Sequence, residues 1–292
     1  MIPRAKVSPE LSRFCRRPPN RRMSRIRKIA FVVNRAKPRA DELAAMLMAM
    51  AEARGVEAVR IESHPVQDGS LAGFDACCVI GGDGTILGAV AEAVKHDVPI
   101  FGINRGKLGF LANYPAETAT HDFAAVLDGE YARAELSLLE CLTADGRVHT
   151  ALNDIVMKTP DVFRMVKLAV YSGRDFVNTY RADGLVFSTP TGSTAYNLGA
   201  GGPLILPEAG VFAMTPICPH TLTNRAVIFP DTAEIRIEKE DRESPVVVSI
   251  DGLDPIGGHR LPLIVRVSDR RLPILRPRGL SHFDILRAKL KW

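Results

Sequence analysis

At 292 residues, 46% hydrophobic and 24% charged, the chain is too long for one ordinary core, and its balance is that of a packed two-domain protein rather than a disordered or fibrous one. No apolar run approaches the roughly 18 residues that span a bilayer and no apolar signal region opens the chain, so a cytoplasmic protein with no membrane partner is expected. The net charge of +5 does not mark a nucleic-acid-binding face: residues 1–28 hold ten Lys or Arg against the single acid Glu10, a local +9 that leaves the other residues at −4.

The basic, Pro-containing start, residues 1–22, reads as a disordered extension ahead of Met23. Lys28 to Asn34 is a short apolar run, a strand, and Arg39 to Arg54 follows with helical spacing and Gly55 as its stop. Glu57 to Glu62 has β character, Asp75 to Ile80 is a buried strand, about Thr85 to Lys95 a helix, and Val98 to Asn104 another strand. This alternation predicts an α/β domain with a parallel sheet over residues 23–133. From about Ala134 the texture becomes short β-rich runs: Leu138 to Thr143, Thr150 to Lys158, Val166 to Tyr171, Phe176 to Tyr180, Leu185 to Thr189, Ala226 to Phe229, Ala233 to Glu238, Val246 to Ile250 and Leu263 to Val267. A β-rich, β-sandwich-like second domain over residues 134–272 is expected, followed by a segment 273–292 with helical spacing from Ser281.

The five cysteines, Cys15, Cys77, Cys78, Cys141 and Cys218, are odd in number and form no C-x-x-C pair, which fits a reducing compartment and argues against a zinc or redox site. Cys77 and Cys78 read as core packing of their strand. The spacing of His, Cys and acidic residues gives no dedicated metal site.

Gly81-Gly82-Asp83-Gly84-Thr85 lies between a buried strand and a helix, the place where open α/β sheets bind ligands. Glycines there allow positive φ and close approach of a phosphate, while the helix start offers free N–H groups. Asp-Gly is also a hairpin signal, but the apolar run before it and the helical pattern after it oppose a hairpin. The loop is neither a Walker A loop nor G-x-G-x-x-G, and its unpaired carboxylate invites a catalytic role.

Asn153 and Asp154 interrupt the apolar stretch Ala151 to Met157. Consecutive strand residues face opposite ways, so either one of the two is internal and needs a partner, or the strand starts later and both belong to a turn. In Arg181 to Tyr196, hydroxyls and glycines follow a strand, and Thr191, Ser193 and Thr194 are candidate caps for a helix starting near Thr194. Ser193 lacks the context of a hydrolase nucleophile. His220 suits a site wall or a loop, and Asp251-Gly252 reads as a turn that ends a strand.

Together these segments resemble the NAD kinase family from Met23 onward. Gly-Gly-Asp-Gly-Thr is shared with lipid kinases and, in related form, with phosphofructokinases; Ala182-Asp-Gly-Leu-Val-Phe-Ser-Thr-Pro-Thr-Gly-Ser-Thr-Ala-Tyr196 is far more specific. Phe101 to Phe110, Ala151 to Asp154, Pro219 to Leu222 and Leu286 to Trp292 support it. The resemblance implies an α/β nucleotide-binding domain, a β-rich NAD-binding domain and a C-terminal segment returning to the first. It also implies phosphorylation of the adenosine 2′-hydroxyl of NAD, giving NADP, with ATP or polyphosphate as donor and a nucleotide-borne Mg²⁺. Asp83 would then act as base, with Gly81, Gly82, Gly84 and Thr85 around the donor phosphates. Asn153 and Asp154 would hold the adenosine, Arg181 and Asp183 would lie near the pyrophosphate and nicotinamide, and Thr194, Ala195, Tyr196, Asn197, Leu198 and Gly199 would wrap the adenine. Arg164, Cys218, His220 and Leu253 align with the pocket wall. Family members commonly carry glutamate in place of Asp154, which here sits one methylene closer to the backbone. A homodimer or homotetramer is implied. The rival readings are a lipid kinase of the diacylglycerol or sphingosine type and a non-catalytic NADP(H)-sensing protein.

Overall fold

The computed structural model describes residues 25–106, 108–161, 163–240, 245–253 and 261–291. The basic extension 1–22, Met23 and the terminal Trp292 lie outside the described residues. The first strand, β1 (Lys28–Val33), is followed by helix α1 (Ala40–Glu52), β2 (Glu57–Ile61), β3 (Ala76–Gly81), the short helices α2 (Asp83–Leu87) and α3 (Val90–Lys95), β4 (Ile100–Asn104), a two-residue β5 (Tyr114–Pro115) and helix α4 (Ala119–Leu127). Strands β2, β1, β3, β4 and β5 pair in parallel. β3 is buried along its whole length, as a strand covered by helices on both faces must be.

One expected helix is two. The run from Thr85 to Lys95 breaks at Gly88 and Ala89 because the Gly88 carbonyl accepts the Val66 N–H at 2.8 Å, and that acceptor is lost to the helical ladder. Apolar side chains then fill both faces of the parallel sheet. Leu43, Leu47, Phe31, Phe101 and Phe123 form the core beneath α1 and α4, and Cys77, Val79, Ile86, Ala89, Val90 and Ile100 form the core beneath α2 and α3.

The remaining strands are β6 (Ala132–Leu142), β7 (Val148–Ala151), β8 (Asp154–Lys158), β9 (Val166–Ser172), β10 (Asp175–Ala182), β11 (Gly184–Ser188), β12 (Val211–Ile217), β13 (Val227–Pro230), β14 (Glu234–Lys239), β15 (Val247–Ile250) and β16 (Leu263–Arg276). A four-residue helix α5 (Tyr196–Gly199) lies between β11 and β12, and α6 (His282–Leu290) follows β16. Five antiparallel strands form one sheet in the order β13-β12-β11-β8-β15. Against it lies the antiparallel part of the larger sheet, and the two inner faces interdigitate through Leu139, Ile155, Met157, Leu168, Phe187, Phe212, Ile237 and Val265. This is the β-sandwich-like half.

The 14-residue β16 belongs to both halves. Its first residues pair antiparallel with β14, Ile274 pairs in parallel with Ile100 of β4, and β6 runs beside it from Leu142↔Ile264 to Ala132↔Arg276. An irregularity between Val267 and Arg271 marks the change of company. The parallel and antiparallel regions are thus one continuous 11-stranded sheet. Helix α6 starts on a capping box: the Asp284 N–H donates to Ser281 Oγ at 3.1 Å and the Ser281 N–H to Asp284 Oδ2 at 3.0 Å. The His282 ring then lies 6.3 Å from that of Phe110.

Candidate active site

The glycine-rich motif sits at the carboxyl end of β3 and opens α2. Its glycines are not there for positive φ: Gly81, Gly82 and Gly84 all lie outside the left-handed region. At Gly81 what requires glycine is proximity, whereas Gly82 and Gly84 have open space around them. A Cβ on Gly81 would fall 2.3 Å from Thr85 Oγ1, a hydroxyl that accepts from the Asn34 side-chain amide at 3.2 Å and so ties the motif to the end of β1.

Asp83 is organised by a loop about 28 residues away. Its Oδ2 accepts the Phe110 N–H at 2.9 Å, and its Oδ1 accepts the Leu111 N–H at 3.1 Å and the Ala112 N–H at 2.9 Å. A carboxylate has about four acceptor positions, so three amides leave about one, on Oδ2, for a further donor. The loop comes this close because residue 109 is glycine: a Cβ there would fall 2.1 Å from Asp83 Oδ1.

The second polar cluster gathers around Asn153 and Asp154. The two alternatives left open by the sequence both hold in part: Leu152 and Asn153 form a bend between β7 and β8, and Asp154 is the first residue of β8, only 4% exposed. From one side the Thr189 N–H donates to the Asn153 carbonyl at 2.9 Å, Thr189 Oγ1 donates to the Leu152 carbonyl at 2.6 Å, and Gly192 packs so tightly on Asn153 that its Cβ would fall 2.0 Å from that carbonyl oxygen. From the other side Asp251, which reads in the sequence as a plain turn residue, is buried. Its carboxylate accepts the N–H groups of Leu152, Asn153 and Asp154 at 2.8, 2.7 and 3.0 Å. Nothing in the local sequence signals this, because the partners are almost a hundred residues apart.

Leu152 also belongs to the apolar cluster that holds Ile86, Leu111 and Ala112, so the Asp83 loop and the Asn153–Asp154 bend share one core. Burial raises the proton affinity of both carboxyls here. Asp154 is pushed up to about 7, by desolvation first and the nearby Asp251 second, against the Tyr196 backbone N–H. At Asp251 three amides oppose the effect of burial. Asp251 is therefore the member of the pair better equipped to stay ionised, and Asp154 the one to hold a proton near neutrality.

The segment after β11 is not the capped helix start expected. Residues Thr191–Thr194 form a 3₁₀ turn and α5 has no side-chain cap. Ser193 Oγ instead donates to the Pro190 carbonyl at 2.7 Å and accepts the Ile205 N–H at 3.0 Å. Asn197 is fully buried, its amide donating to the Ser193 and Pro203 carbonyls and its oxygen accepting from Thr215 Oγ1 at 2.7 Å, so its side chain is committed to the fold. Tyr196 and Gly199 are exposed, with Thr194, Ala195 and Leu198 partly so. Arg181 is exposed and Asp183 half-buried, and the Arg181 carbonyl accepts the His220 N–H at 2.9 Å, which draws His220 and Cys218 to the end of β10. Arg164 is exposed and paired with Asp161 at 3.3 Å. Leu253, which is exposed, follows the buried Asp251 on the same turn. Among the described residues no group of three His, Cys, Asp or Glu side chains converges as a metal site, and no helix is long and apolar enough to cross a membrane.

Residues 63–131 match the family described as ATP-NAD kinase N-terminal domain, and residues 152–273 the ATP-NAD kinase C-terminal domain. The chain is 38% identical over 269 residues to the NAD kinase of Solibacter usitatus, covering 87% of this chain and 93% of that protein. It is 41% identical over 223 residues to that of Neisseria gonorrhoeae, covering 75% of each. The fold superposes on yeast NADH kinase complexed with NADH at a TM-score of 0.81, with 23% identity over 94% of this chain and 91% of that one. It superposes on an Archaeoglobus fulgidus NAD kinase in complex with ATP at 0.74, with 24% identity over 90% and 98%. The family models and the relatives define a phosphotransferase, and its fold here is a parallel α/β half bearing a carboxylate at a strand end with a β-sandwich half attached to it. The chain belongs to the NAD kinase family.

Two outcomes test this geometry. Gly109→Ala, which drives a methyl group against a fixed carboxylate, lowers stability by about 1–3 kcal/mol, whereas Gly82→Ala, with open space around its Cα, meets no such clash; thermal melts of the two variants decide it, and equal melting temperatures refute the interlock. The second concerns Asp154. Because its native proton affinity is raised, the native state holds a proton that the unfolded chain releases above about pH 4. The stabilisation is complete below that pH, is lost as pH rises to about 7, and is level beyond. Asp154→Asn removes this dependence and gains about 2 kcal/mol on the wild type between pH 5 and pH 8; an unchanged difference in urea midpoints at the two pH values contradicts it.

Proposed function

We propose that the protein transfers a phosphoryl group from ATP or another phosphoryl donor to the 2′-hydroxyl of the adenosine ribose of NAD, with Asp83 as the group that receives the hydroxyl proton. The observation that carries this reading is the Asp83 carboxylate: both oxygens are fixed by three backbone amides and about one acceptor position is left over, beside a bend that offers a second carboxylate.

A carboxylate is too weak a base to strip a ribose hydroxyl in advance. In a loose phosphoryl-transfer transition state it has no need to, since the hydroxyl becomes acidic only as its oxygen bonds to phosphorus. The remaining acceptor site on Oδ2 first orients the hydroxyl in line with the donor. The new O–P bond then forms as the bond from phosphorus to its bridging oxygen breaks, and the proton passes late to Asp83. The Gly81–Thr85 turn faces the donor phosphates with the backbone at the start of α2. Mg²⁺ enters with the nucleotide as part of the substrate and neutralises phosphate charge.

In this reading Asn153 and Asp154 hold the adenosine. The exposed face of residues 194–199 lies along the adenine, with Asn197 supporting that face from beneath. Arg181 and Asp183 stand toward the pyrophosphate and nicotinamide, and Arg164, Cys218, His220 and Leu253 supply the outer wall. The protein acts in the cytoplasm as a homo-oligomer. Phe163 and Leu222, 94% and 87% exposed, are apolar surface that a second copy would cover.

Asp83→Asn lowers kcat by about two to four orders of magnitude while NAD binding stays within a few-fold. The assay is NADP formation from NAD and Mg²⁺ with ATP or with polyphosphate. Near-normal turnover by the variant removes Asp83 from the chemistry, and no NADP from the wild type with either donor sinks the kinase reading.

A further inference from the structure

We infer that Asp251 is a positioning residue for the NAD adenosine: its carboxylate, by gathering three consecutive backbone amides, sets the bend that presents Asn153 and Asp154. The inference rests on the proposal that those two residues hold the adenosine.

β8 and β15 pair from Val247↔Lys158 to Ile250↔Ile155, and at their ends the Asp251 N–H still reaches the Asp154 carbonyl at 2.9 Å. Beyond that point the β8 side turns away, and Leu152, Asn153 and Asp154 present their N–H groups to one spot. Successive amides converging in this way form a concave anion nest. In many proteins such a nest binds a free anion; here the anion is covalently supplied by the neighbouring strand. Asp251 holds φ of 53°, a conformation that aspartate tolerates better than most side chains, and this turns its carboxylate back into the nest.

Three features separate this arrangement from an ordinary strand-end turn. The carboxylate is almost fully buried, so its charge depends on these amides. The opposite side of the same bend is fastened by Thr189 and Gly192, so the bend is gripped from two strands. The grip is on the backbone alone, which leaves the Asn153 and Asp154 side chains uncommitted to Asp251. An acceptor lost here frees three buried N–H groups and lets the bend relax toward the straight strand that its apolar flanks favour.

The test uses the full-length enzyme with Asp251→Asn, Asp251→Gly and Asp154→Asn. Asparagine keeps the shape and tolerates the positive φ but loses the charge and one acceptor oxygen. Glycine keeps the backbone and removes the acceptor altogether. The expected result is a graded rise in KM for NAD, about tenfold for Asp251→Asn and about a hundredfold for Asp251→Gly, with kcat and KM for ATP within about threefold of wild type. Asp154→Asn should raise KM for NAD as well. If Asp154→Asn raises it and the Asp251 variants do not, Asp251 is not the positioning group, while the adenosine reading stands. If neither residue affects KM for NAD, the reading of the bend fails and this inference with it. If the Asp251 variants lower kcat at constant KM for NAD, Asp251 acts on the reacting phosphates and the inference is overturned. Should the glycine variant not fold, the asparagine variant decides alone.

Discussion

A carboxylate that collects three backbone amides is the interaction on which both halves of the site depend. Asp83 does this for Phe110, Leu111 and Ala112, and Asp251 does it for Leu152, Asn153 and Asp154. In each case a short bend is made rigid by one long-range anion, which satisfies N–H groups that would otherwise be costly to bury. The two differ in exposure. By the same count each keeps about one acceptor position, but Asp83 is partly accessible while Asp251 is enclosed and meets no solvent-borne donor. One arrangement thus provides a group poised to meet substrate and another a group that shapes its neighbours.

The glycines follow from the same constraint. Gly81 makes room for Thr85, Gly109 for Asp83 and Gly192 for the Asn153 carbonyl, and none of the three has positive φ. Their conservation of space, rather than of backbone freedom, is what lets loops from distant parts of the chain touch without an intervening side chain. The apolar cluster that takes in Ile86, Leu111, Ala112 and Leu152 then holds the two bends in register with each other.

Much of this was legible in the sequence wherever the signal is local. The parallel strands stand out as apolar runs, the Gly81–Thr85 turn by its place between strand and helix, and the β-rich half by its many short strands. Helix α4 was not, because between Pro115 and Gly129 only Phe123, Val126 and Leu127 are large apolar residues and its face is completed by alanines. Strand β12 was hidden by Pro216, and β16 extends nine residues past the expected Val267 because an irregularity there disguises its alternation. Thr191, Ser193 and Thr194 have the composition of helix caps, but buried carbonyls claim Ser193 first. Asp251 was illegible for a more basic reason: an aspartate followed by glycine at a strand end has the same local appearance whether it faces water or three amides.

Strand β16 also limits how the protein can move. Because one strand is hydrogen-bonded into both the parallel and the antiparallel regions, with β6 alongside for its whole length, the two halves are not beads on a string. Swinging them apart would tear a sheet ladder rather than bend a linker. The spacing of the two halves is set by strand register, and adjustment to different occupants falls to the loops at the rim of the site. Selectivity in such an architecture is a matter of what the rim carries, on a frame whose gauge was fixed when the sheet formed.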